Sequence, residues 1–167
     1  MVGRDKVTQN IMPHPRQLDL LVESYKKELE SNECVYEILD ELSHYSNAKS
    51  EIRDLGVKLG DAGFDYLLED GKALKELVSK LIVKNQNYRS AQKIIIYLLA
   101  EVESIFNCEI KPKLLDVRGE CEVKALFRMH LEKEINDKLG ENVLDVYHRQ
   151  INGMVYFLTG NCHLEWK

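Results

Sequence analysis

Cys162 and His163 stand side by side near the end of the chain, and no other pair of its residues is better suited to chemistry. A thiol beside an imidazole has two uses. It can act as a nucleophile with its base, or supply two ligands to a metal with Cys108 or Cys121 as a third. Neither use fits the spacing. Side chains at i and i+1 diverge on a helix and on a strand, and structural zinc sites use C-x₂₋₄-C and H-x₃₋₅-H spacing. A cysteine nucleophile also needs an oxyanion hole, and no elbow motif or Gly-rich active-site turn accompanies the pair. His44, His130 and His148 fall on helical stripes or their edges. A buried Cys beside a hydrogen-bonded His is the simpler reading.

Other candidate motifs are weaker. Glu101 and Glu103, like Glu132 and Glu134, are i, i+2 pairs that point to different helix faces, so they read as solvated surface. The helical Glu-x-x-His pattern of di-iron sites is absent. Gly56-Val57-Lys58-Leu59-Gly60 and Gly60-Asp61-Ala62-Gly63 follow a helix and lack the Lys-Ser/Thr ending of a phosphate loop. No catalytic, cofactor or metal residue is therefore assigned. The expectation is a protein without a cofactor and without enzyme activity.

Bulk composition narrows the class. At 167 residues, 44% hydrophobic and 31% charged, the chain suits one globular domain with a proper core. A net charge of −5 argues against nucleic acid, which calls for a basic face. No apolar run approaches the roughly 18 residues of a membrane span, and no apolar stretch follows Met1-Val2-Gly3-Arg4-Asp5-Lys6 as in a signal peptide. The expected location is the cytoplasm, where Cys34, Cys108, Cys121 and Cys162 stay reduced. The first three read as small buried hydrophobes.

The elements needed to place these residues are helical. Residues 1–13 read as an extended arm: Val2 to Ile11 alternates in places, and Pro13 and Pro15 stiffen the joint. From residue 14 the pattern is that of a helical domain running to 167. Leu18, Leu21, Val22, Tyr25 and Leu29 follow helical spacing. Val35, Ile38, Leu39, Leu42 and Tyr45 predict a second helix. Ile52, Leu55 and Leu59, with Ser50 as cap, predict a third, closed by Gly60 to Gly63. A fourth passes from Leu67 to Ile82 through Gly71, an interruption costing about 1 kcal/mol relative to Ala. Ser90 is expected to cap a central helix reaching about Asn107, apolar nearly all round at Ile94-Ile95-Ile96-Tyr97-Leu98-Leu99. This β-branched run could also read as a strand, and the flanking Ala91-Gln92-Lys93 and Ala100-Glu101-Val102-Glu103 decide it for helix. Pro112 ends or kinks it. Val123 to Ile135 and Asp145 to Leu158 complete about seven helices in an all-α, single compact domain.

The C-terminal residues Gly153 to Trp166 join an apolar helix to Thr159-Gly160-Asn161-Cys162-His163 and the only Trp of the chain. Gly160 and Asn161 suit a sharp turn with φ > 0. We expect Trp166 to fold back on the core, with His163 hydrogen-bonded beside it and Cys162 buried. A frayed end and a partly exposed anchor for a partner are the alternatives.

Three stretches resemble a known family. They are Asp54-Leu55-Gly56-Val57-Lys58-Leu59-Gly60-Asp61-Ala62-Gly63 leading to Leu74-Lys75-Glu76; Ser90-Ala91-Gln92-Lys93-Ile94 with Leu98-Leu99-Ala100 and Ile110-Lys111-Pro112; and Gly153 through Trp166. In order and spacing they are similar to the C-terminal helical domain of ABC-three-component system proteins, from prokaryotic conflict or anti-phage loci. The resemblance covers roughly residues 16–167. Val2-Gly3-Arg4-Asp5-Lys6-Val7-Thr8-Gln9-Asn10 also looks like the short "GDK-[IV]-T" linker of many bacterial conflict proteins. On residues alone, Arg4-Asp5-Lys6 reads more simply as a tail without a role.

The resemblance implies an adaptor that couples to an ABC-type ATPase and a small middle component, with a homo-oligomer as a further expected partner. Only about a dozen residues precede the helical domain, too few to fold alone. The sequence is thus either part of a longer protein or a stand-alone adaptor, and no effector activity is assigned to it. The expected contact residues are Arg4, Asp5, Lys6 and Val7 in the arm and Tyr156, Phe157, Asn161, Cys162, His163 and Trp166 in the C-terminal segment. An enzyme with an unrecognised site around Cys162 and His163, and a self-associating structural module, are the competing classes.

Overall fold

The computed structural model describes residues 16–48 and 53–167. The arm at 1–13, the Pro13/Pro15 joint, Ser50 and Ile52 lie outside the described residues, as do the expected contact residues Arg4, Asp5, Lys6 and Val7. Among the described residues the fold is all-helical, without strands. The helices are α1 (Gln17–Ser31), α2 (Asp40–Ser46), α3 (Leu55–Asp61), α4 (Leu68–Asn85), α5 (Arg89–Ile105), α6 (Glu120–Leu126), α7 (Lys133–Leu139) and α8 (His148–Gly160). A π-helical segment, Phe127–Glu132, joins α6 to α7 without a break, so the pair counts as one and the described chain has seven helices.

Helix α5 is the axis of the domain. Its apolar face is nearly continuous, with Ile94, Ile95, Leu98, Leu99, Val102 and Ile105 all buried. Helices α1, α2, α4, α7 and α8 pack around it. After Ile105 the chain widens into a π-helical segment, Phe106–Ile110, and then tightens into a 3₁₀ helix, Lys111–Asp116, with Pro112 in its first turn. Proline has no N–H to donate, and the first turn needs none.

The broadest helix-to-helix contact is α4 on α8, and glycine permits it. A Cβ at Gly71 would meet the Tyr156 ring at 2.8 Å, and a Cβ at Gly153 would overlap the Leu74 carbonyl oxygen. Gly71, which interrupts the apolar pattern of α4, is thus the recess that receives Tyr156. Its helix-propensity cost is offset by a closer crossing of the two helices.

Several sequence expectations are corrected. The periodicity across Val35 to Tyr45 yields a helix only from Asp40. Upstream, the backbone is held by neighbours: Val35 N donates to Asn87 O (2.8 Å), Leu39 N to Gln92 Oε1 (2.7 Å), and Gln92 Nε2 to Glu37 O (3.0 Å). Tertiary hydrogen bonds replace helical ones. Ser90 is not the cap of α5. Tyr88 holds that position, and the Glu28 carboxylate accepts from both Ser90 N (3.1 Å) and Ser90 Oγ (2.7 Å). A carboxylate at a helix N-terminus is stabilising because it answers unpaired N–H groups and the helix dipole. Asp54 caps α3, accepting from Val57 N at 2.9 Å. Leu29 is 41% exposed. Cys34, Cys108 and Cys121 are exposed rather than buried, since each lies off the apolar stripe of its segment.

Candidate interaction site at the C-terminal clasp

The C-terminal segment is folded back, and its turn has a defined geometry. After α8 the Cys162 N–H donates to Thr159 O (3.2 Å) and the His163 N–H to Leu158 O (2.8 Å). This 5→2 and 6→1 pair defines a Schellman motif, which requires a left-handed residue just past the helix. That residue is Cys162, with φ 65°. Gly160 stays helical, and Asn161 has φ −95°. The expected positive φ therefore falls one or two residues later than anticipated, on a side chain that strains there.

Leu164 (1% exposed) and Trp166 (3%) are thereby turned into the core. The indole stacks on Tyr156 (centroids 5.9 Å, interplanar 24°) and meets Phe64 and Phe106 at 5.3 Å and Phe127 at 6.2 Å. Phe106 and Phe127 are the first residues of the two π-helical segments, so both helical irregularities flank the Trp166 ring. Its Nε1–H donates to Thr159 Oγ1 at 2.9 Å, and that hydroxyl donates to Val155 O at 2.7 Å. A buried indole is thus fully satisfied, as burial demands.

Polar contacts fix the tail from the other side. Lys58, only 2% exposed, donates from Nζ to Leu164 O (3.1 Å) and pairs with Glu165 Oε1 at 2.9 Å. Arg53 bridges Glu165 (3.3 Å) and Asp61 (3.2 Å), and Lys167 Nζ reaches Asp61 O at 3.2 Å. Partial burial works to raise the Glu165 pKa, but Lys58 and Arg53 outweigh it and hold the carboxyl below the ordinary range. Asn161 Nδ2 donates to Tyr45 O at 3.0 Å. Tyr45 is half-buried, and its hydroxyl donates to Glu103 (3.1 Å). Burial first, and then the Glu103 carboxylate, pushes its pKa up to about 12.

Cys162 and His163 each have a partner on another segment. The Cys162 thiol donates to Arg53 O at 3.5 Å, and it is half-buried rather than buried as expected. His163 Nε2 lies 3.0 Å from His44 O. A carbonyl can only accept, so Nε2 carries the proton in that contact. The His163 ring also lies edge-on to His44 (4.9 Å) and tilted against Tyr45 (5.1 Å). No group of three or more His, Cys, Asp or Glu side chains among the described residues could hold a metal ion.

The segment thus brings together Tyr156, Phe157, Asn161 and Trp166, all buried, with Cys162 and His163 at its edge. Sequence reasoning missed Lys58, Thr159 and Phe64. Lys58 carried a legible signal: it stands at i+3 from Leu55 and beside Leu59, on the buried stripe of α3. The spacing of Thr159 from Trp166 carries none.

What these contacts define is a helical domain whose three resemblance-bearing stretches close on one aromatic centre. Lys58 comes from the first and Phe64 follows it, Phe106 lies between the parts of the second, and Trp166 ends the third. The family model for C-terminal domain 9 of the ABC-three component (ABC-3C) systems matches residues 54–166. The chain belongs to that family. The match begins at the α3 cap and ends on the clasp tryptophan, leaving α1 and α2 ahead of it. No curated protein and no solved structure matches the chain significantly. No helix of the described residues is long and apolar enough to cross a membrane.

Proposed function

We propose that this chain is a non-enzymatic adaptor of an ABC-three-component defence system, coupling to an ABC-type ATPase and a small middle component. The observation that carries the reading is family membership over residues 54–166, since a component of a multi-part system acts through partners. The locked clasp supports it. Its side chains are spent on mutual contacts, which suits a rigid platform that keeps its shape when partners bind. In this reading residues 1–13 are a docking arm, with Arg4, Asp5, Lys6 and Val7 as contacts, residues 14–167 are the platform, and the complex works in the cytoplasm.

The test is co-expression of the full chain, tagged, with the ATPase and the small protein encoded beside it. All three should co-purify through size exclusion. A chain that elutes alone with both partners present in excess contradicts the adaptor reading. Removing residues 1–12 should weaken the complex without lowering the melting temperature, and an unchanged complex removes the arm from the proposal.

A further inference from the structure

Two surface features are left without a role, and they complement one another. The first is a groove of about 570 Å³ beside the clasp, within the roughly 300–1,000 Å³ of ligand-binding clefts. Phe64, Leu114 and Trp166 line its floor, and Leu115, Lys111 and Lys167 also line it. Leu115 is 91% exposed. Among the described residues no acidic side chain lines the groove, although Asp116 follows Leu115. Lys111 makes no ion pair with any described residue. The second feature is the non-helical strap before α2. Tyr36 is 96% exposed and Ile38 46%. Glu33, Glu37, Asp40 and Glu41 are all exposed around them, and Arg89 is the cation alongside. Large apolar side chains held out in water on a fixed backbone suit contacts with another molecule.

Strap and groove lie at opposite ends of α5. The strap is tied to Gln92 in its first turn, while Asn107, Lys111 and Leu114 follow its last residue, Ile105. Seventeen residues of helix separate the two ends by about 25 Å. A strap anchored by its own backbone hydrogen bonds cannot cross that distance to its own groove.

We infer that the strap of one copy of this chain docks in the groove of a second copy, Tyr36 and Ile38 covering Leu115 and the aromatic floor, and Glu37 and its acidic neighbours facing Lys111 and Lys167. Opposite charge selects the pairing and its register, and salt screens it. One strap in one groove falls short of the 1,200–2,000 Å² or so that stable complexes bury, so the association is weak and concentration-dependent. Because each copy carries both surfaces, the contact closes as a reciprocal pair or extends into longer assemblies. The inference does not depend on the adaptor reading.

Sedimentation velocity of the full chain, over a concentration series from micromolar to submillimolar and at low and high salt, tests it. Association should rise with concentration and weaken in salt. Leu115→Asp and Tyr36→Ser each alter an exposed side chain, and each should weaken association roughly tenfold or more, with unchanged circular dichroism confirming the fold. Lys111→Glu and Glu37→Lys should each weaken it, and the double reversal should restore it. A wild-type chain that stays monomeric throughout the series overturns the inference, as does association that survives Leu115→Asp or Tyr36→Ser. If the chain is monomeric and Leu115→Asp instead abolishes co-purification of the middle component, the groove belongs to that partner and self-association is refuted.

Discussion

At Cys162 the backbone adopts φ 65°, in a motif where glycine or asparagine is usual. The same chain shows the usual choices elsewhere. Asn32 (φ 53°) ends α1, with Glu33 N donating to Glu28 O, and Gly63 (φ 81°) follows α3, with Phe64 N donating to Leu59 O. Cys162→Gly should therefore raise stability, by up to about 1 kcal/mol as left-handed strain is relieved, whereas β-branched Cys162→Val should lower it. Calorimetric melting of both variants checks the order. Trp166→Ala removes a buried aromatic and should cost roughly 3–5 kcal/mol. Thr159→Val keeps the volume but orphans the indole N–H, and should cost about 1–3 kcal/mol. Urea denaturation measures both, and a Trp166→Ala chain as stable as wild type would refute the clasp. Glu165 adds a pH dependence. Its folded pKa is depressed below the ordinary 4.5, so its contribution is complete above that value and is lost as pH falls through the lower, folded one. The stability gap between wild type and Glu165→Gln should thus narrow in acid, a trend that paired melts across the range will show.

Between elements, the decisive contact is the α4–α8 crossing, and its tolerance differs sharply between glycines. At Gly153 an added methyl overlaps the Leu74 carbonyl, a backbone atom that cannot step aside. At Gly60, inside α3, a methyl meets nothing within 4 Å. Gly153→Ala should cost a few kcal/mol through overpacking, and Gly60→Ala should stabilise by up to about 1 kcal/mol through helix propensity. Comparing the two melting temperatures separates close packing from propensity. The segment ahead of α2 teaches the reverse lesson. Val35, Ile38 and Leu39 have helical spacing, yet Gln92 and Asn87 hold the backbone out of a helix. Gln92→Leu should loosen that strap by leaving Leu39 N and Glu37 O unpaired, and hydrogen exchange at Leu39 should rise with it.

For the molecule as a whole, the described helices share one continuous apolar core, from Leu18 in α1 to Trp166. A tail that completes such a core should unfold with it. Truncation after Gly160 should remove the indole from the aromatic centre and the partners of Lys58 at one stroke. The shortened chain should keep its helical far-UV signal while losing near-UV signal and cooperativity, the signature of lost specific packing. An unchanged, cooperative melt would mean that the core closes without its last seven residues, and that the tail is decoration.

Read by itself, the chain already specified most of the helices, because apolar stripes at 3.6-residue spacing are local and repeated. The β-branched run from Ile94 also suits a strand, and its flanking residues decided it for helix. It also specified the family, through stretches that happen to meet in space, and it placed Tyr156, Phe157 and Trp166 where folding back onto the core was the expectation. Tertiary structure alone decided which side chains those stretches turn to one another. Thr159 pairs with Trp166 because a Schellman turn at Cys162 reverses the chain, and the residue with positive φ was set by the turn's hydrogen bonds, not by its preference for glycine. Glu28 caps α5 across 62 residues, and Gln92 ties down the strap before α2. Glu28 and Gln92 each answer, across 53 residues or more, a backbone group that its own segment left unpaired, and local periodicity holds no record of which distant residue will answer.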